Sequence, residues 1–208
     1  TRLAVIVGEW DAVEGILVSL GYKIRARYDE SGMTLTDANG TVDLIKGHAS
    51  SVWLYQFLND PNWMGEYAAI LINCDWYDDI REGDGITRIW STAQAETARG
   101  NLRAYVAAGG GLYLSDWSNA ILMRTFPNRV KFRSACHFYD ARCGVKNLSL
   151  STQVSSPALA TWLGRSTATV VMDLEQWVVL EPNGQPADVT VMLRAPKAQY
   201  WITGGDDG

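Results

Sequence analysis

Three apolar runs of strand length limit what this chain can fold into: RLAVIVG (2–8), YAAILINC (67–74) and GLYLS (111–115). None alternates polar with apolar, so each suits a strand buried on both faces, the pattern of a parallel sheet under helices. Segments of helical period lie between them. DAVEGILVSLGY (11–22) stands behind a D-x-x-E capping box, SSVWLYQFLND (50–60) ends at Pro61, and TAQAETARGNLRAYVAAGG (92–110) closes on glycines. YKIRARYD (22–29) alternates like a half-buried strand and completes a βαβ opening. Right-handed crossovers between parallel strands place helices over both faces, so the expectation is a three-layer α/β domain with a mostly parallel sheet.

Two regions depart from that rhythm. Residues 30–47 carry an Asn39-Gly40 turn between short β-prone runs and read as a hairpin insertion. Beyond residue 128 the helical period fades apart from PALATWLG (157–164), and ATVVMDLEQWVVLEP and DVTVMLRAP read as strands, expected as antiparallel edge strands near the C-terminus of the sheet. One domain over 1–208 is the expectation, with a continuation or linker from about residue 200.

Composition narrows the function classes. At 47% apolar residues the chain can fill a core, and a net charge of −5 supplies no broad basic surface for a nucleic-acid backbone. No apolar run reaches the roughly 18 residues of a membrane span. The chain opens on Thr1 and runs directly into a strand, which leaves open a removed upstream signal, anchor or domain, and an extracytoplasmic location is preferred to a cytoplasmic one.

Each apolar run leads to an acid beside a tryptophan: Glu9-Trp10-Asp11, Asp75-Trp76 and Asp116-Trp117. If the strands are parallel neighbours, all three sets meet at one rim, beyond the carboxyl ends, where open α/β sheets bind ligands. Tryptophan offers an apolar face and carboxylates accept hydrogen bonds or attract cations, which suits a sugar, an ammonium group or a basic peptide. The alternative is structural: Asp11 and Asp116 cap the helices that follow them, and the tryptophans plug the end of the core.

Other motifs carry less. Cys136 and Cys143 stand in a C-x6-C spacing that suits either a disulfide or free thiols, and Cys74 reads as a buried thiol. Cys136-His137 falls short of a four-ligand zinc spacing, and the acidic loop CDWYDDIREGDG (74–85) does not match a calcium loop. Gly109 to Gly111 follow a helix and precede a strand, the reverse of a phosphate-binding turn, so no cofactor is expected.

YAAILINCDW, NLRAYVAAGGGLYLSDW and SNAILMRTFP together resemble the class I glutamine amidotransferase-like superfamily, over roughly residues 2–127. The resemblance implies a flavodoxin-like sheet and a strand-to-helix elbow that carries the nucleophile. Aligned through the glycine-led strand, the elbow falls at Ser115 or Asp116, most naturally Asp116, where the family has cysteine. His137 is the sole downstream histidine and lacks the family's His-x-Glu pattern; the trehalose-utilisation-like branch, with histidine at the elbow, is not matched either. Ser115 lacks the small neighbours of a serine elbow, and His48 is the one other imidazole. The expectation is a non-catalytic amidotransferase-like domain, a binding or assembly module for another protein or a glycan. The alternative is a carboxylate-dependent hydrolase, with Asp116 as base or nucleophile and Asp75 or Glu9 as partner.

Overall fold

The computed structural model describes residues 1–47, 51–74, 92–132, 147–172, 180 and 185–195. The chain divides into two units, Thr1–Pro127 and Asn128–Gly208.

The first unit is built on a six-stranded sheet. Its strands are β1 (Leu3–Val7), β2 (Ile24–Asp29), β3 (Gly32–Leu35), β4 (Val42–Lys46), β5 (Ala69–Ile72) and β6 (Gly111–Leu114), in the order β3-β2-β4-β1-β5-β6. All neighbours are parallel except β2 and β3, and Val5 at the centre pairs with Leu44 on one side and Leu71 on the other. Helices α1 (Val13–Ser19), α2 (Val52–Asn59), α3 (Pro61–Met64) and α4 (Thr92–Ala107) lie between them, and α5 (Asn119–Thr125) follows β6. Strand alternation sends Ala4, Ile6, Ile45, Ile70 and Ile72 to one face, where they bury against Leu54, Phe57, Leu58, Met64, Ala98 and Leu102 of α2, α3 and α4. Val5, Val42 and Leu44 face the other way and pack on Leu17 of α1. An α/β architecture with a mostly parallel sheet and helices on both faces is therefore present.

Residues 30–47 differ from the expected insertion. The hairpin turn falls at Glu30-Ser31, where the Asp29 carboxylate accepts the Ser31 amide at 2.9 Å, and a link this short makes β3 the antiparallel edge. Asn39-Gly40 turns the chain between β3 and β4, with the Asn39 amide on the Asp37 carboxylate. β4 is then a central strand, buried at Val42, Asp43, Leu44 and Ile45. Asp43 interrupts what would otherwise read as a buried run, and its ion pairs are what let it lie there. Arg25 donates to it twice, from Nε at 2.8 Å and Nη2 at 2.5 Å, Arg2 once at 2.7 Å, and the Tyr67 hydroxyl at 2.6 Å.

The glycines before β6 act as a helix stop. Gly109 takes the left-handed conformation (φ +97°), and the Gly110 amide bonds back to the Tyr105 carbonyl at 3.0 Å. A side chain at Gly110 would fall 2.3 Å from the Tyr105 ring.

The second unit holds a separate antiparallel sheet of β7 (Leu148–Val154), β8 (Thr167–Met172) and β9 (Leu193–Arg194), in the order β8-β7-β9. Among the described residues the C-terminal strands thus do not extend the main sheet as its antiparallel edge; that edge is β3. β7 and β8 pair with each other because α6 (Pro157–Leu163), capped by Ser156 and ended at Gly164 (φ +66°), reverses the chain between them.

Candidate functional site

β1 sends the chain through α1 towards β2, whereas its neighbour β5 sends it through α4 to β6 on the opposite side. The pair β1 and β5 is therefore the topological switch point of the sheet, the place where open α/β sheets bind ligands. The backbones approach closely at that point: a Cβ on Gly8 would lie 2.0 Å from the Cys74 carbonyl oxygen.

Asp11, just beyond β1, ties the three strand ends together. One carboxylate oxygen accepts the Cys74 amide at 2.8 Å, and the other accepts the Ser115 hydroxyl, 104 residues away in the chain. Asn73, fully buried at the end of β5, donates its side-chain amide to the Asp11 carbonyl at 3.3 Å and to Glu14 Oε2 at 3.0 Å. The Ser118 hydroxyl donates to the carbonyls of Ser115 (2.6 Å) and Ile72 (3.2 Å), closing the turn after β6 onto β5.

These bonds replace the helix caps expected of the two aspartates. α1 starts from Ala12, which makes no side-chain cap, while the Asp11 carboxylate points across the sheet to β5 and β6. The N-cap of α5 is Ser118, and Asp116 stands two residues earlier, in the 3-10 turn Asp116–Ser118. Its φ of +39° is rare for a residue with a side chain, although aspartate tolerates it better than most. Asp116 is exposed, and the Cys74 thiol donates to its Oδ2 at 3.5 Å. The Cys74 side chain is buried.

The rim therefore receives Glu9, Trp10 and Asp11 from β1 and Asp116 from β6, on either side of Cys74 at the end of β5. Glu9 is exposed, and Trp10 is 59% exposed, so it does not plug the core. Tyr113 on β6 has its hydroxyl pKa raised, by burial first and then by the nearby Asp11 charge. Asp75, Trp76, the Trp117 side chain, His48, His137, Cys136 and Cys143 lie outside the described residues.

No protein-family model matches the chain, and no curated protein or solved structure does. The rim must be read from its own chemistry. Among the described residues no group of three or more His, Cys, Asp or Glu is placed to hold a metal ion, and no helix is long and apolar enough to cross a membrane. What the arrangement offers is a set of acceptors on a stiff floor, with one exposed indole beside them. Two of the floor's residues, Asn73 and Ser118, were not singled out in the sequence. Asn73 did leave a signal, as a polar residue inside the apolar run ILINC.

Proposed function

We propose that the chain is an amidotransferase-like α/β domain that binds instead of catalysing, engaging a protein partner or a glycan at the rim formed by β1, β5 and β6. The observation that carries this reading is the exposed pair Glu9 and Trp10 on a floor held by Asp11, both of whose carboxylate oxygens are bonded internally, with Asp116, itself bonded by the Cys74 thiol, reaching the surface beside them. An indole face beside carboxylates suits hydroxyl-bearing or cationic groups. The elbow residue is an aspartate, not the cysteine that amidotransferase chemistry requires. The likeness to that superfamily rests on the glycine-led strand and its elbow and not on strand order: a flavodoxin-like sheet sets the second strand directly beside the first, and here β4 lies between β2 and β1.

The test is a titration of the full chain with neutral oligosaccharides and with lysine- and arginine-rich peptides, followed by indole fluorescence. Trp10→Ala and Asp116→Asn are each expected to weaken binding at least about tenfold, the equivalent of ~1.4 kcal/mol, with melting unchanged. Absence of binding to both ligand classes, or affinity indifferent to both substitutions, overturns the proposal.

The second reading, a carboxylate-dependent hydrolase, is favoured by one observation, the left-handed backbone of Asp116 at a strand-to-helix turn. Strained turns of this kind present nucleophiles in unrelated enzymes. Asp116 would then act as nucleophile or base with Glu9 or Asp75. Turnover of glycoside or ester substrates that Asp116→Asn abolishes, in a protein that still folds, would establish this reading in place of the first.

A further inference from the structure

We draw no further inference here: the strongest candidate, the solvent-facing apolar side of α1 where Ile16 and Leu20 stand one turn apart, carries nothing because nothing in the structure shows what covers it.

Discussion

Asp43 shows how one side chain can hide a strand's central place in the sheet. Its side chain is fully buried, yet it meets two guanidinium groups and a phenol, and Trp63 in turn donates to that phenol at 3.1 Å. Burial pushes its pKa up, but the bonds from Arg25, Tyr67 and Arg2 outweigh burial and hold it below the usual carboxylate value. A lowered folded pKa adds stability that is complete above the unfolded value, about 4, and is lost as pH falls through the folded value. Wild-type stability is therefore expected to drop below about pH 4 more steeply than that of Asp43→Asn, as read by urea midpoints across pH. At neutral pH the same substitution should cost about 3 kcal/mol, the low end for breaking a buried pair, because Arg2 and Arg25 keep 30% and 22% of their side chains in water. Asp11 and Asp116 should separate in the same assay. Asp11→Ala strands the Cys74 amide and the Ser115 hydroxyl and is expected to cost about 1–3 kcal/mol. Asp116→Gly should stay within about 1 kcal/mol of wild type, because glycine takes φ +39° without strain. A large loss in Asp116→Gly would mean that its carboxylate, like that of Asp11, holds the floor together.

Among the elements, the join of α4 to β6 was the most legible in the sequence, and its chemistry is local. A helix that ends on consecutive glycines and resumes as an apolar run can be read from a dozen residues, because the stop depends on backbone freedom and on bonds reaching back five residues. Gly110→Ala is expected to destabilise by about 1–3 kcal/mol: its methyl group would overlap the Tyr105 ring, which is fixed by a 3.1 Å hydrogen bond to the Tyr67 carbonyl. Thermal melts of this variant beside Gly109→Ala, at about 1 kcal/mol, would separate overlap from backbone strain. The central place of β4 was not legible for the opposite reason. VDLIK reads as a short β-prone run, but a buried place in the sheet is open to it only once Asp43 is paired, and its partners Arg2, Arg25 and Tyr67 stand 41, 18 and 24 residues away. The turn at Asn39-Gly40 then looked like the tip of a hairpin, although Asp29 had already set the reversal at Ser31.

Over the whole molecule, both hydrophobic clusters of the six-stranded sheet draw their buried residues from within 4–121, so the first unit contains its own core. Residues 1–127 expressed alone are expected to unfold cooperatively and to keep the near-ultraviolet signal of Tyr28, Trp53 and Trp63, whose rings pack 5.1–6.3 Å apart. Non-cooperative melting or loss of that signal would show that the first unit needs the rest of the chain. The same cluster explains part of the tryptophan content: Trp53 and Trp63 pack against the core and bond to Asp29 and Tyr67, so aromatic number is no measure of binding surface here. The amino-acid order was enough for the alternation of strands and helices in the first unit and for the mostly parallel sheet, since burial period, caps and glycine stops act over a few residues. Three-dimensional packing alone set the strand order, the central place of β4, the separate C-terminal sheet, and the use of Asp11 as a tie instead of a cap. Each of those follows from partners that the chain brings together across tens of residues, and no local window contains them.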